Sequence, residues 1–550
     1  SATRIGQTGL IEKGRENVLL QSNQFDTTWI QSNVSVTSGQ TGYDGSSDAW
    51  LLEVTATGSY RRVHQSGINL DVNTFSIYAK ANTSNFLFLL NNKSSTDAVA
   101  FFDLSNGSIG GVNAAIDTKI ESVGNGWYRC SITSIFADNQ YYVSVADGIS
   151  NVTATAGASL YIQDAQVEQG LAASPYIPTT TTAAQAGVLE NTPRLNYTTG
   201  VANPYLLLEP SRTNDSPYSE YISAFNNLSA INVNDNATDS PEGVSNAAFI
   251  YADATSNQHY ISNNHSYTSG TAFTISIFVK VKDYDYFFIR VQDFLSSSTT
   301  SFNLSNGTLA AAGGEDSYTI ESFNSDWYRI SATYTPTSTT ANNNGLRLGF
   351  SPTASYNYTG DNSSGGYVYG YQFENNASYA TSYIPTYSVS ATRAADTSSK
   401  ADASADINST EGVLYAEIAA LDEDSLGRYI TISDGVVNNN AIRLLYHNSN
   451  TLFFQKYVNG VRTTNLATTS ITKTDFNKIA IRYNSTEISV FVNGVNILNN
   501  ADTNVMLPNT LNALGFAAAE GYNKFFGKVN EVQVYKEALT DAELATLTTI

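Results

Sequence analysis

An internal repeat constrains this chain more than any other feature. Three blocks of sequence recur in the same order at a common spacing of 200 residues, and the blocks after them recur at a slightly larger spacing. A unit of this length is a whole domain and not one turn of a solenoid. The chain therefore holds two copies of one domain. The recurring blocks are 76–80 with 276–280, 102–107 with 302–307, and 127–129 with 327–329.

Each copy has the sequence pattern of an all-β domain. Asn106-Gly107 and Asn306-Gly307 predict tight hairpin turns, because Asn-Gly supplies the positive φ angles that such turns need. Side chains in 127–132 alternate between two faces with the period of a strand. Only 14% of residues are charged, and the 35 Tyr and 25 Phe suit half-buried, pleated strands. The sequence predicts strands throughout.

A different module begins at about residue 400. Asn459-Gly460 and Asn493-Gly494 mark two further hairpins, and 526–535 has the pattern of a long last strand. Thr540 and Glu543 have the spacing of a capping box, so we expect a short helix after that strand.

The charge balance narrows the range of partners. A net charge of −21 and a pI near 4.5 exclude nucleic acid, because binding phosphates requires Lys and Arg. They also disfavour an anionic membrane surface. No run approaches the ~18 apolar residues of a membrane span, and one cysteine, Cys130, permits no internal disulfide. Neutral polysaccharides are compatible partners.

Two resemblances extend this interpretation. The segment 527–535, followed by Leu539-Thr540-Asp541-Ala542-Glu543, resembles the end of concanavalin A-like (laminin-G-like) sandwiches. The repeats resemble the carbohydrate-binding-module-like jelly rolls of bacteriophage virion proteins, in their start at 17–22, their centre at 125–129 and their close at 176–179. The implied fold class is all-β, with tandem jelly-roll β-sandwiches in two homologous copies, followed by a concanavalin A-like sandwich.

We predict six segments on this basis. The tetrapeptide at 1–4 recurs at 390–393, at a domain junction, so we expect further sequence upstream of Ser1. The segments are an N-terminal junction at 1–16, a first jelly roll at 17–180, a linker at 181–211, a second jelly roll at 212–388, a linker at 389–404, and a concanavalin A-like domain at 405–550.

The resemblance implies a virion structural protein, as a tail fibre, head fibre or capsid decoration, exposed on the particle surface. It implies a homotrimer that binds other virion proteins, attaches to host-surface polysaccharide and does not insert into a membrane. No enzyme activity is expected, since the chain has no nucleophile elbow, phosphate loop or dinucleotide fingerprint. Two alternatives stay open: the accessory binding modules of a polysaccharide-degrading enzyme, and a bacterial surface adhesin.

Aromatic residues supply the candidate ligand contacts. Trp127-Tyr128-Arg129 and Trp327-Tyr328-Arg329 resemble sugar-stacking platforms, but two diverged copies share them, which favours a structural repeat motif. In that structural role, Arg129 would pair across the sheet with Glu121, and Arg329 with Glu321. Aromatics that do not recur are better ligand candidates. These are Trp50, replaced by Ala248 in the second copy, and Trp29, with filling of a core gap as the alternative for both.

Acidic residues suggest one metal site. Asp44 and Asp48, echoed by Glu242 in the second copy, have oxygens suited to a structural calcium ion, with an Asp-Gly turn as the alternative. Asp422-Glu423-Asp424 is interpreted as a solvated loop. Cys130 is interpreted as a small buried hydrophobe. The four histidines lack the spacing of a metal site and are interpreted as solvated; they are His64, His259, His265 and His447.

Overall fold

The structure is a computed structural model of the chain. Its residues form two compact units, one built from 10–190 and 213–391 with the first residues of the chain, the other from 4–9, 191–212 and 392–550. The structure describes residues 3–93, 96–135, 139–198, 201–291, 298–324, 326–343, 345–421, 427–447, 451–469, 471–518 and 522–550.

The first copy is a sandwich of two six-stranded antiparallel sheets. In spatial order, one sheet contains Ser108–Asn113, Thr96–Asp103, Phe86–Lys93, Asn139–Ala146, Arg62–Ile68 and Ile30–Ser32. The other contains Asp117–Gly124, Trp127–Ser134, Asn73–Ala81, Ser159–Gln169, Ala49–Val54 and Val34–Gln40.

Side chains alternate between the two faces of each sheet, and those on the inner faces form the core between the sheets. Phe75 and Ile77 from one sheet meet Leu87 and Leu89 from the other, and all four are fully buried. Each such side chain contributes about 1.5–3 kcal/mol to folding through the apolar surface that it removes from water. The intervening residues of each strand point to the outer face of their sheet.

The second copy repeats this architecture, strand for strand. One of its sheets contains Thr308–Ala311, Ser298–Asn303, Tyr286–Val291, Leu346–Ser351, Tyr260–Ser262 and Asn227–Ser229. The other contains Ser317–Phe323, Trp327–Tyr334, Phe273–Val281, Gly365–Asn375, Ala247–Ala252 and Ile231–Thr238. The prediction of two homologous jelly-roll sandwiches is confirmed.

One buried asparagine closes each jelly roll in the same way. The Asn17 side-chain amide donates to the carbonyls of Ala165 and Ile177, and its Oδ1 accepts from the backbone N–H of Val167. Asn214 makes the corresponding bonds to the carbonyls of Tyr371 and Ile384. The opening segment of each copy is thereby attached to its last long strand and its closing segment.

Short strands complete the first unit and its junctions. They are Thr3–Ile5, Ile11–Lys13, Arg15–Asn17, Gly58–Ser59, Thr153–Ala154, Ala184–Ala186, Arg212–Asn214, Ser256–Gln258, His265–Tyr267, Thr340–Asn343, Asn357–Thr359 and Ala391–Arg393, with a 3-10 turn at Ile222–Ala224.

The second unit is a third sandwich with its own core. Its seven-stranded sheet contains Leu195–Asn196, Tyr205–Leu208, Gly527–Tyr535, Gly412–Ala420, Asn477–Tyr483, Glu487–Val492 and Val495–Ala501. Its six-stranded sheet contains Ser399–Lys400, Ala513–Gly515, Arg428–Ser433, Ala441–Tyr446, Leu452–Val458 and Val461–Thr468.

This sandwich takes strands from both segments that the sequence predicts as linkers. Within 181–211, Tyr205–Leu208 pairs with the strand that begins at Gly527. Leu207 and Leu208 are buried there, which explains the three consecutive leucines at 206–208. Within 389–404, Ser399–Lys400 forms the edge of the six-stranded sheet. The third sandwich is therefore discontinuous in sequence, with the second jelly roll lying between its two parts.

The chain ends in a seven-residue helix, Asp541–Leu547. Thr540 accepts from the Glu543 backbone N–H, and the Glu543 side chain accepts from the Thr540 backbone, so the predicted capping box is present. This helix packs Leu544 against Val413 and Phe491 of the seven-stranded sheet. Among the described residues, no helix has the length and apolar character needed to cross a membrane.

Candidate functional site

The structure places the repeated Trp-Tyr-Arg motif inside the fold. Trp127 and Trp327 are 1% and 2% exposed. Arg129 donates from Nη2 to Ser76 Oγ at 3.1 Å and to the Ser174 carbonyl at 2.5 Å. Its counterpart Arg329 makes the same two bonds, to Ser276 and Thr381. These contacts join three segments of each jelly roll and leave no indole face for a sugar.

The remaining members of the motif also contact their own copy. Tyr128 and Tyr328 lie against the hairpin glycines Gly107 and Gly307, where a Cβ would approach the phenol ring within 3.1 Å. Glu121 lies directly opposite Arg129 in the strand register, and Glu321 lies opposite Arg329. The guanidinium bonds described above go to hydroxyl and carbonyl oxygens.

The two tryptophans predicted as ligand contacts lie in the core of the first jelly roll. Trp29 is 3% exposed and Trp50 is 5% exposed. Both pack on Phe25, at centroid distances of 5.0 and 6.1 Å. Their indole N–H groups donate to the carbonyls of Gln21 and Asn23. The ligand prediction is therefore corrected, because buried indoles offer no surface to a glycan.

The proposed calcium ligands divide into two environments. Asp44 accepts from the backbone N–H and hydroxyl of Ser46, and Asp48 accepts from Gln163 at 2.8 Å. Glu242 is instead buried in ion pairs with Lys13 and Arg15. The equivalence between Asp44 and Glu242 as metal ligands is thus corrected. Within the described ranges, no group of three or more His, Cys, Asp or Glu is arranged for a metal ion.

A buried ionic cluster that the sequence did not indicate surrounds Glu242. Lys13 Nζ lies 2.8 Å from Glu220 Oε1 and 2.6 Å from Glu242 Oε1. Arg15 joins Glu242 to Glu168, which belongs to the first jelly roll. Burial opposes the charge on Lys13, but Glu220 and Glu242 outweigh it and raise the pKa of Lys13 above its usual range. The cluster ties the N-terminal segment to both jelly rolls.

Three histidines predicted to be solvated are buried: His64, His259 and His265. His259 is 0% exposed, and its Nδ1 lies 2.5 Å from the Ala230 carbonyl oxygen. His265 stacks on Phe373 at 3.9 Å and contacts the Tyr371 hydroxyl, and burial lowers the pKa of His265 to about 3. Cys130 is fully buried, and burial raises the pKa of its thiol. The predicted loop at 422–424 lies outside the described residues.

The strongest candidate surface lies on the third sandwich, where the six-stranded sheet has an outer face of polar and aromatic residues. Ile430, Ile442 and Phe454 point into the core, so the residues between them point outward. We call this outer surface the Arg443 face; its members are Tyr429, Thr431, Ser433, Arg443, Gln455, Tyr457 and Asn465.

A polar row crosses four strands of this face. Thr431, Arg443, Gln455 and Asn465 lie opposite one another in register. Gln455 donates its amide to Asn465 Oδ1 at 3.0 Å. Thr431, Arg443 and Gln455 are 1%, 2% and 6% exposed, so Asn465 is the member of the row that a ligand can reach.

Arg443 is fixed between two half-buried tyrosines. Its guanidinium carbon lies 4.6 Å from the ring centroid of Tyr457 and 5.8 Å from that of Tyr429. Nη1 donates to Asn438 Oδ1 at 2.6 Å, and Nη2 donates to the Ala518 carbonyl at 2.7 Å. Arg443 is itself 2% exposed, so these contacts make it a structural support for the two rings and not a ligand contact.

A cleft of about 350 Å³ adjoins the row. Thr431 and Ser433 line it from the sheet, Gly515 and Phe516 line it from the neighbouring strand, and Lys524 contributes a cation. This volume is near the lower end of the range for small-molecule sites. An outward arginine within the otherwise apolar strand Ala441–Tyr446 was the sequence signal that could have revealed this face.

The chemistry of the Arg443 face favours binding. Hydrolysis of a glycoside requires two carboxyl groups on either side of the bond. The face, as the described residues define it, contains hydroxyls, amides, phenols and a guanidinium but no Asp or Glu. Its accessible part is the exposed Asn465 with the half-buried rings of Tyr429 and Tyr457, which offers an amide and ring surface to a polar ligand.

A comparison with protein families identifies this part of the chain. Residues 419–545 match the family described as the concanavalin A-like lectin/glucanases superfamily. The C-terminal sandwich is concanavalin A-like. The Arg443 face is the outer surface of one sheet of this concanavalin A-like sandwich. No curated protein sequence matches the chain.

Solved structures include several weak similarities. A Ruminococcus gnavus IT-sialidase CBM40 bound to α2,3-sialyllactose is 16% identical over 25% of this chain and 83% of its own, with a TM-score of 0.22. Mouse laminin α1 LG4-5 is 9% identical over 51% and 86%, with a TM-score of 0.18. A mutant Trypanosoma rangeli sialidase is 9% identical over 99% and 92%, with a TM-score of 0.22. At these scores none of the three supports a statement about ligand or activity.

Proposed function

We propose that this chain is a non-catalytic structural protein on the surface of a virus particle, and that its concanavalin A-like sandwich contacts a host-surface glycan. The observation that carries this proposal is the Arg443 face. It joins two half-buried tyrosine rings, the exposed amide of Asn465 and an adjoining cleft.

The residue types of the face suit a saccharide. A sugar ring presents an apolar face with hydroxyl groups around its edge, so it needs both an aromatic surface and directed hydrogen-bonding groups. Tyr429 and Tyr457 offer the rings, while Asn465 offers an exposed amide. Amphipathic rings with few rotatable bonds lose little conformational entropy when they bind.

The two jelly rolls suit a structural role. Each has its own large core, and each is closed by the same buried asparagine. The net charge of −21 favours solubility at high local density. Assembly as a homotrimer with other virion proteins would place several Arg443 faces side by side, and many weak sites gain avidity from such an arrangement.

Binding of the full chain to a panel of immobilised neutral oligosaccharides tests the glycan contact. We expect Tyr457→Ala to weaken binding about tenfold, the loss produced by removing ~1.4 kcal/mol of contact. Tyr318→Ala, which removes an exposed tyrosine from the second jelly roll, is the matched control and is expected to bind normally. The proposed glycan contact would be overturned if the unaltered chain bound no oligosaccharide, or if both variants lost the same amount of affinity.

Electron microscopy with gold-labelled antibody tests the location. Label on purified particles supports the virion role, whereas label confined to bacterial cells supports the adhesin alternative. A reducing-sugar assay on the oligosaccharides that bind tests the remaining alternative. Steady release of product would contradict the non-catalytic proposal and favour a polysaccharide-degrading enzyme.

A further inference from the structure

The second jelly roll carries two arginines side by side on an outer sheet face. Arg290 and Arg347 are direct partners in the register of adjacent antiparallel strands. Ile289, Val291, Leu346 and Leu348 on either side of them belong to the core, so both guanidinium groups lie on the opposite face. Both side chains are half-buried.

This pair is electrostatically unusual. Like charges directly opposite each other on a sheet destabilise it. The chain has 49 acidic residues against 28 Lys and Arg, yet no carboxylate of the described residues lies within 4.0 Å of either guanidinium. A bound anion would offset the repulsion that the described residues leave uncompensated.

The two guanidinium groups are held in position by neutral partners. Arg290 Nη1 donates to Thr299 Oγ1 at 3.0 Å, and Arg347 Nη1 donates to Gln258 Oε1 at 2.7 Å. Among the described contacts, Nη2 of each arginine makes no hydrogen bond, so each has donors available for a ligand. A planar guanidinium matches the two oxygens of a carboxylate.

Aromatic rings stand beside both arginines. The guanidinium carbon of Arg290 lies 4.0 Å from the ring centroid of Tyr356, and that of Arg347 lies 4.5 Å from the ring centroid of Tyr260. Tyr356 is half-buried and presents part of its ring outward. The surface thus combines a cationic pair with an aromatic ring at its edge, the two features that a charged sugar would contact.

The first jelly roll shows that the fold does not require this arrangement. The strand register equates Arg290 with Leu90, Arg347 with Tyr142, and Thr299 with Val99. In the first copy these positions belong to an apolar cluster with Phe88 and Phe101. The two arginines are therefore a specific property of the second copy and not a packing requirement.

We infer that Arg290 and Arg347, with Tyr356, form a binding site for an acidic saccharide, a sugar ring that carries a carboxylate. The carboxylate accepts from the free Nη2 groups while the ring lies against Tyr356. This inference rests on the proposed function, since it supplies a second contact with a different class of glycan.

Isothermal titration calorimetry of the full chain with a tetrameric oligogalacturonate tests the site. We expect binding that weakens about tenfold or more in Arg290→Leu and in Arg347→Gln. It is also expected to weaken as salt is raised, because the contact is ionic. The fully methyl-esterified tetramer, which has the same rings without the charge, is expected to bind at least tenfold less tightly.

Two controls keep the result specific. Arg290→Leu installs the residue that the first copy has at this position, so its melting temperature is expected to stay close to that of the unaltered chain. Arg62→Gln changes the single arginine that stacks on Tyr142 in the first copy, 4.0 Å from its ring centroid, and is expected to bind oligogalacturonate normally.

Three results would overturn the inference. They are equal binding of the esterified and acidic tetramers, equal loss in Arg62→Gln and Arg290→Leu, and competition by inorganic phosphate at the same concentration as the tetramer. Binding of neutral oligosaccharides that depends on Tyr457 is independent of these variants. If Tyr457-dependent binding of neutral oligosaccharides is observed but oligogalacturonate does not bind, the acidic-saccharide site is disproved while the proposed function still holds.

Discussion

The two jelly rolls share their strand order and their closing hydrogen bonds, but they differ on the outer face of one sheet. Asn17 and Asn214 make matching bonds, and Arg129 and Arg329 contact matching partners. The face that is apolar around Phe88 and Phe101 in the first copy carries Arg290 and Arg347 in the second. The shared contacts are therefore required by packing, and the difference on this outer face is available for function.

The same contrast holds for buried charge. The second copy places Glu220 and Glu242 around Lys13, whereas the corresponding positions in the first copy are Asn23 and Asp44. The first copy instead buries Asp164 beside the Tyr43 hydroxyl at 3.0 Å. Matching folds thus contain polar clusters of different composition, and three experiments test how the two copies differ.

The largest effect is expected from Lys13→Met. Removing this cation leaves Glu220 and Glu242 buried with less compensation, and breaking a buried ion pair from one side costs about 3–5 kcal/mol. Urea unfolding of the full chain measures the change. Lys282→Met is the matched control, because its pair with Asp283 is about one-third exposed and such pairs contribute about 0–1 kcal/mol. Equal losses of unfolding free energy in the two variants would show that the buried ion pairs contribute no more than the exposed one.

An intermediate effect, dependent on pH, is expected from Asp164→Asn. Burial raises the pKa of Asp164 to about 6, partly opposed by the Tyr43 hydroxyl. Between about pH 4 and pH 6 the folded state then binds more protons than the unfolded state, so stability falls as pH rises through this window. The neutral amide removes that loss, and we expect a gain of about 3 kcal/mol at pH 7 with no gain at pH 4.

Two features make this substitution informative. Asp164 has a φ of 53°, a conformation that Asn adopts readily, and Gly370 occupies the matching position of the second copy at 64°. Asp26→Asn, at an exposed position of the first copy, is the control. Thermal unfolding at pH 4 and pH 7 distinguishes the outcomes, and a gain that persists at pH 4 would show that charge is not the cause.

The smallest effect is expected for a stacked Arg–Tyr pair, whose arginine and tyrosine occupy exchanged positions in the two copies. Arg62 stacks on Tyr142 in the first copy, and Tyr260 receives Arg347 at the matching positions in the second. We expect Arg62→Tyr and Tyr142→Arg each to cost about 0.5–1 kcal/mol, and the double variant to recover most of the loss. Chemical unfolding in a double-mutant cycle measures the coupling, and purely additive losses would show that the stacking contributes nothing.

The repeat and its strand pattern were sufficient to predict two jelly rolls, and Thr540 with Glu543 was sufficient to predict the last helix. The segment Tyr205–Leu208 was missed as a strand because it lies next to a junction and its partner, Gly527–Val529, is more than 300 residues away. Trp29 and Trp50 were chosen for not recurring, but a core also differs between copies, since neighbouring side chains change together.

The sequence by itself determined the all-β class, the duplication and the change of module near residue 400, because these depend on local periodicity and turn chemistry. Only the tertiary structure decided which polar residues meet. The opposition of Arg290 and Arg347 and the buried cluster around Lys13 join residues far apart in the chain. Strand register and burial determine which of these side chains contact one another, and neither can be obtained from spacing along the sequence.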